Sequence, residues 1–394
     1  MRRRSAGDWR FWTVGLALSG GLACTGQLNG NPAGGGSAAT TGGSAGVNAG
    51  NGSGGNGTSG ATACAEGVAP ALHARLLTPS QYEHVVEDLL KVGDHPAKEF
   101  GGGVSARLDE VAVERRANAA ALVASKAVAN LSAWSPCVPP AVDAATCEAQ
   151  LIEKLGMAAF RHPLADTERA QLKQLFDAGV AEKDFATGVE WLLAGLLQTP
   201  DFLYQFAKPA AGEVAGQVVP LPAYELASRL SFFVWDSGPD DVLFAAAAAG
   251  KLGDAAGVQA ELTRLMSDAR FKRGLESFYG DWLGLKGFTE VARDDQALTS
   301  ELLVDLQRSL LQSATEPYES ANPTLQRLLT GQSYFLSDKL RAFYGLAGGS
   351  PALEPTELPN EGRRGILTHP ALMLLLARPN ASNPIARGLF VQRS

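Results

Sequence analysis

Apolar positions recur along most of this chain at intervals of three and four residues, the spacing of one helix face, and sustained strand-type alternation is missing. The segment TPSQYEHVVEDLLK opens with Thr78 as an N-cap, Pro79 at the first helical position and Gln81 placed to close a capping box. Tyr82, Val85, Val86, Leu89 and Leu90 then share one face. A second helix fits ERRANAAALVASKAVANLSAW, ended by Pro136, and a third fits ATCEAQLIEKLGMAAF, stopped before Pro163. Asp166 or Thr167 caps the next, with Leu172, Leu175 and Phe176 inward and Gly179 as its C-cap. DFATGVEWLLAGLLQ follows behind the cap Asp184, and at most VVPL near Val218 is suited to brief strand pairing.

Past the linker AKPAAGEVAGQ, the stretch SRLSFFVWDSGPDD sets three aspartates after an apolar aromatic run. On a helix from Tyr224, residues Leu226, Leu230, Phe233 and Val234 span the inward side, with Arg229 at its edge and four residues after Glu225. That order favours an ion pair, against the sharper reading of a ligand-clamping arginine. Asp236, Asp240 and Asp241 pose a similar choice. A calcium site wants six or more oxygens, and this loop has three carboxylates. A helix start uses every residue: Pro239 in the first turn, Asp240 and Asp241 at the positive end of the dipole, Gly250 as the left-handed cap. DAAGVQAELTRLMSDAR, capped by Asp254, then puts Val258, Leu262, Leu265 and Met266 on one face. FKRGLESFYGDWLGL carries Phe271, Leu275, Phe278, Tyr279 and Trp282 as an aromatic stripe that reads as core. The fold class is mainly α: multi-helix, bundle-like domains behind a disordered N-terminal tether.

The N-terminus places the protein in the cell. Arg2, Arg3 and Arg4 precede the short apolar run WTVGLALSGGLA, the pattern of a signal peptide over residues 1–23. Gly21-Leu22-Ala23-Cys24 resembles a lipobox, which makes Cys24 the lipidated mature N-terminus. Residues 24–66, almost all Gly, Ser, Ala, Asn and Thr before Ala63, form a flexible tether. Its Gly42-Gly43-Ser44-Ala45-Gly46 matches the nucleophile-elbow pattern only by composition, since no strand precedes Ser44. Removal of the first 23 residues takes the formal charge from −7 to −10, which disfavours a nucleic-acid partner. No run has the length and apolarity of a membrane helix, so the expected membrane contact is the lipid anchor. In an oxidising compartment Cys137 and Cys147, with nine residues between them in a Pro-rich connector, are the candidate disulfide, and Cys64 is left odd.

Four segments carry a family resemblance. LLTPSQYEHVVEDLL resembles the opening of domain of unknown function 1587 (residues 67–140), and FRHPLADTERAQLKQLFDAG with LLAGLLQTPDFLYQF resembles domain 1595 (residues 141–210). YELASRLSFFVWDSGPDDVLF through DARFKRGLESFYGDWLGL is similar to domain 1592 (residues 218–346). RRGILTHPALMLLLARPNASNPIARGLFVQRS is similar to the start of domain 1588 (residues 361–394). The set resembles planctomycete and myxobacterial cytochrome-associated exported proteins. The resemblance implies a c-type haem in a C-terminal continuation, because none of the cysteines here opens a C-x-x-C-H. It assigns no activity.

Among the histidines, His73, His84, His95, His162 and His369, none makes a zinc-type spacing, and the expected metal ligand set is none. His369 is a candidate axial ligand to a downstream haem. Taken together, the chain reads as an extracytoplasmic, membrane-anchored lipoprotein at the outer membrane or cell surface. Its role is the scaffold or binding portion of a cytochrome-associated redox or envelope complex, with a redox or envelope protein as partner. The runner-up is an oxidase or hydrolase of extracellular polymers with its site around Arg229, Asp236, Asp240 and Arg387. A third reading is a passive adhesin.

Overall fold

The computed structural model describes residues 74–93, 95–100, 108–206, 221–290, 297–319, 323–358 and 362–393. The signal segment, Cys24, the tether, Cys64, His73 and residues 218–220 of the VVPL stretch lie outside them. The described residues are mainly helical, with two small antiparallel pairs of strands.

The first core is built from β1 (Arg75–Leu76), α1 (Pro79–Leu90), α2 (Glu110–Ala129), α3 (Ala144–Phe160), α4 (Asp166–Glu182), α5 (Phe185–Leu196), α6 (Pro200–Leu203) and β2 (Tyr204–Gln205). The capping box of α1 forms: Thr78 Oγ1 accepts from the Gln81 amide and Gln81 Oε1 accepts from the Thr78 amide, each at 3.1 Å. Buried side chains from Leu76 to Leu203 make one continuous cluster, crossing residue 140 without a break. Cys137 and Cys147 are bonded, fastening the connector after α2 to the first turn of α3.

Two details of α4 differ from the sequence pattern. The helix starts one residue early because the Glu168 carboxylate accepts from the Ala165 amide at 2.8 Å, which satisfies the cap that neither Asp166 nor Thr167 supplies. Gly179 is not the C-cap, since the helix continues to Glu182. It lies where α4 crosses α5, and a Cβ there would meet the Thr187 carbonyl oxygen at 2.6 Å. Helix propensity is given up for backbone contact.

Arg161 closes α3 in the left-handed region, at φ 62°, with its side chain buried. Its guanidinium donates to the carbonyls of Phe202 (3.2 Å), Tyr204 (2.7 Å) and Asp201. Burial lowers its pKa to about 10, opposed by the Asp201 charge. β1 and β2 pair beside it, with Arg75 opposite Gln205 and Leu76 opposite Tyr204. Strands of two residues are too short to leave an alternating pattern.

A second group packs α7 (Ala223–Trp235), α8 (Asp241–Ala248), α9 (Ala255–Met266) and α10 (Arg270–Leu283) around fully buried Trp235. The Trp235 indole donates to the Leu265 carbonyl at 2.8 Å, and the Arg270 guanidinium lies 3.4 Å from its ring centroid. Asp240 caps α8, accepting from the Leu243 amide at 2.9 Å, so Pro239 precedes the cap instead of opening the helix. Gly250, at φ 69°, follows the helix as the left-handed residue.

The third core joins the end of α10 to α11 (Ser300–Glu319), α12 (Leu325–Thr330), β3 (Ser333–Leu336), α13 (Asp338–Phe343), β4 (Glu354–Glu357) and α14 (Pro370–Leu375), with α15 (Pro384–Arg393) beyond. β3 and β4 pair from Ser333 opposite Glu357 to Leu336 opposite Glu354. Only β3 buries alternate residues, Tyr334 and Leu336, so four residues were the whole signal.

A polar clasp holds α1 against α10 and the turn after α7. Arg273 grips Asp88 at 2.9 and 2.6 Å, and Ser237 Oγ donates to the same carboxylate at 2.7 Å.

Replacing Gly179 by Ala is expected to cost about 1–3 kcal/mol, because backbone and not a flexible side chain blocks the new methyl. Urea denaturation should show a lower midpoint at unchanged slope. An unshifted midpoint would refute the tight crossing.

Candidate functional site

A cleft of about 1320 Å³ opens between α7, α9 and α10 on one side and the β1–β2 pair with the start of α1 on the other. Its apolar wall is laid by side chains that the sequence pattern assigned to the core. Phe233 is 86% exposed, Phe278 57% and Met266 52%, and Phe271, Leu275 and Trp282 are only partly covered. The buried face of α7 is Ala227, Ser228, Ser231, Phe232, Val234 and Trp235, with Leu226 and Leu230 packed against the core beside it, so of the four residues expected inward Phe233 alone stands out. The reason is angular. Trp235 is fixed inside by its indole hydrogen bond and by Arg270, and two helical steps place Phe233 about 200° away.

The same geometry fixes α10. A Cβ on Gly274 would lie 2.3 Å from the Val234 carbonyl oxygen, so α7 and α10 touch there backbone to backbone. Beyond that contact Phe278 stacks on Trp282, with ring centroids 6.2 Å apart and planes at 14°.

The other end of the cleft is polar. Asp236 ends α7 in the left-handed region at φ 54°. Its Oδ2 is buried and, although 3.3 Å from His84 Nδ1, makes no hydrogen bond of proper geometry; the His84 nitrogen is 3.2 Å from the Asp236 carbonyl oxygen. Asp281, one turn from Phe278 on α10, faces the same space. Partial desolvation first, then the charge of Asp236, pushes its carboxyl pKa up, and Lys286 and Arg75 pull it back. Gln205 Nε2 donates to Gln81 Oε1 across the floor at 3.4 Å. This arrangement offers stacking surfaces beside two carboxylates, one of them, Asp281, with a raised proton affinity.

Of the four residues singled out from sequence, Arg229 and Asp236 line this cleft. Arg229 is paired to Glu225 at 2.8 Å. Asp240 and Arg387 are not among the lining residues. Asp240 accepts from Arg264 at 2.9 and 3.0 Å and from Arg270 at 3.3 Å while capping α8. Burial opposes its ionisation, yet the Arg264 and Leu243 hydrogen bonds and the arginine charges hold its pKa below the ordinary value. It is architectural. Arg387 sits on α15, with Nη1 3.6 Å from Met373 Sδ. Asp281, Arg75 and Gln205 also line the cleft, though the sequence pattern did not single them out. Their only signal was proximity to aromatic positions, and their meeting depends on tertiary contact.

His369 does not suit haem ligation. It is fully buried, its Nδ1 accepts from the Ala371 amide at 3.2 Å, and its Nε2 therefore carries the proton shared with Ser309 Oγ at 3.1 Å. Both ring nitrogens are engaged. Among the described residues no group of three or more His, Cys, Asp or Glu is placed to hold a metal ion.

Comparison with known families bears on the segments that frame the cleft. Residues 221–346 match the family model described as PSD4, protein of unknown function (DUF1592). Residues 147–206 match the model described as PSD5, protein of unknown function (DUF1595). The first match contributes the aromatic wall and the second Gln205 and Phe206 on the floor. No curated protein and no solved structure matches the chain. No helix of the described residues is long and apolar enough to cross a membrane.

His369 generates a pH prediction. Burial, with Arg363 adding to it, lowers the imidazole pKa from 6.5 to about 3. The unfolded chain takes up a proton below 6.5 that the folded chain refuses, so this stabilisation is complete above 6.5 and is lost as pH falls toward 3. Urea stability measured between about pH 6.5 and 5 should fall by up to roughly 1.4 kcal/mol per pH unit, a slope that His369→Asn removes. An identical slope in the variant would refute the assignment.

Proposed function

We propose that this chain is the binding portion of an exported, lipid-anchored scaffold in a cytochrome-associated redox or envelope complex, and that the aromatic cleft is where it engages its partner. The observation that carries the reading is the exposed wall of Phe233, Phe278 and Met266, held on helices whose own packing is complete without them. Exposed apolar surface of that extent, gathered in a concavity, marks an interaction site. Export is supported by the arginine-led apolar segment ending in Gly21-Leu22-Ala23-Cys24 and by the Cys137–Cys147 bond, which suits an oxidising compartment. The similarity to domains 1587 and 1588 at either side of the matched segments supports the cytochrome association.

A second reading has one observation in its favour. Asp281, with Asp236 beside it, holds its proton more tightly than an ordinary carboxylic acid, as the acid in acid–base hydrolysis of a polymer does. In that reading Asp281 donates the proton and Asp236 is the second carboxylate of the pair. Release of new chain ends from an envelope polysaccharide, lost in Asp281→Asn, would favour it over the scaffold.

The anchor is tested by expressing the full chain and fractionating the cells. The wild type should partition with membranes and begin, by intact mass, at an acylated Cys24. Cys24→Ser should appear in the soluble extracytoplasmic fraction. Retention of that variant on membranes would refute the lipid anchor.

A further inference from the structure

The cleft's shape and charge specify its occupant more closely. We infer that it is a docking groove for a basic, amphipathic helical segment of a partner polypeptide, with apolar residues against the aromatic wall and a lysine or arginine between Asp236 and Asp281. The inference rests on the scaffold reading and names the partner's chemistry.

Size is the first argument. At about 1320 Å³ the cleft exceeds the 300–1,000 Å³ typical of sites for single small molecules. The character of the wall is the second. A methionine and two phenylalanines standing free of the core form an adaptable apolar surface of the kind that accepts one face of a helix at successive turns.

Charge is the third and selects among helices. Five charged side chains line the cleft: Arg75, Glu225, Arg229, Asp236 and Asp281. Glu225 and Arg229 neutralise each other across 2.8 Å, which leaves Arg75 against two aspartates. Arg75 forms no ion pair with either of them. An uncharged occupant would desolvate both carboxylates further without offering them a compensating charge. A ligand ammonium or guanidinium supplies donors to both carboxylates, and the adjacent aromatic faces attract it as well. The formal charge of the chain, −7, favours the same encounter at long range.

The test uses the full chain and three synthetic helical peptides of about fourteen residues, with leucine on one face and lysine, glutamine or glutamate on the other. Fluorescence anisotropy is read at about 0.15 M salt. The lysine peptide should bind at least about tenfold more tightly than the glutamine or glutamate peptide. Phe233→Asp should weaken it by a similar factor. Because Phe233 is 86% exposed, this variant should keep the wild-type circular dichroism, and Phe278→Ser is a second, milder probe of the same wall. Asp236→Asn with Asp281→Asn should reduce the preference for lysine over glutamine to within about twofold. Glu114→Gln with Glu182→Gln removes the same charge from exposed positions on α2 and α4 and should leave binding unchanged.

Equal binding of the lysine and glutamine peptides would overturn the inference, as would full affinity in Phe233→Asp, or an equal loss in the remote charge variant. Any of these with Cys24-dependent anchoring intact would remove the basic-segment assignment and leave the scaffold reading in place.

Discussion

The buried guanidinium of Arg161 is the constraint on which the cleft depends. A charge removed from water requires its donors to be met, and here they are met by three backbone carbonyls at the end of α6. Satisfying them fixes the chain at Asp201, Phe202 and Tyr204, which positions β2 to pair with β1 and brings Gln205 beside Arg75. The same guanidinium lies 5.7 Å from the Phe232 ring centroid on α7. One cation therefore ties the floor of the cleft to its wall. The left-handed backbone at Arg161 aims the side chain inward, immediately before the His162-Pro163-Leu164 turn.

The two sides of the cleft are held by polar contacts of high sequence separation. Asp88 receives Arg273 and Ser237 at once, joining α1 to both α10 and the end of α7. Backbone contact at Gly274 then sets the distance between α7 and α10. Neither contact involves the aromatic rings that face the opening. Internal support and the exposed aromatic wall are carried by different side chains of the same helices.

The helical architecture was legible because its signals are local. Thr78, Asp184 and Asp254 cap the helices their positions predict, each oxygen reaching an amide three residues on. What periodicity could not resolve was which of two apolar stripes on α7 and α10 is covered. Phe233 and Val234 are adjacent and both apolar, yet one is outside and the other inside, because Trp235 takes the interior position through bonds to α9 and α10. The meeting of Asp236 with Asp281 was hidden for a related reason, since 45 positions of chain separate them and helix packing brings them together. Gly179 shows the local rule misleading outright: a glycine near a helix end looks like a stop, and here it is the point at which α5 comes closest.

The separation of Trp235 from Phe233 by two residues has an evolutionary consequence. Substitutions at Trp235 or Gly274 disturb packing and would be purged for that reason alone. Changes at 233, 266 or 278 meet mostly solvent and leave the folded state nearly indifferent. A lineage that keeps this scaffold is thus free to vary the cleft wall, residue by residue, without passing through an unstable intermediate.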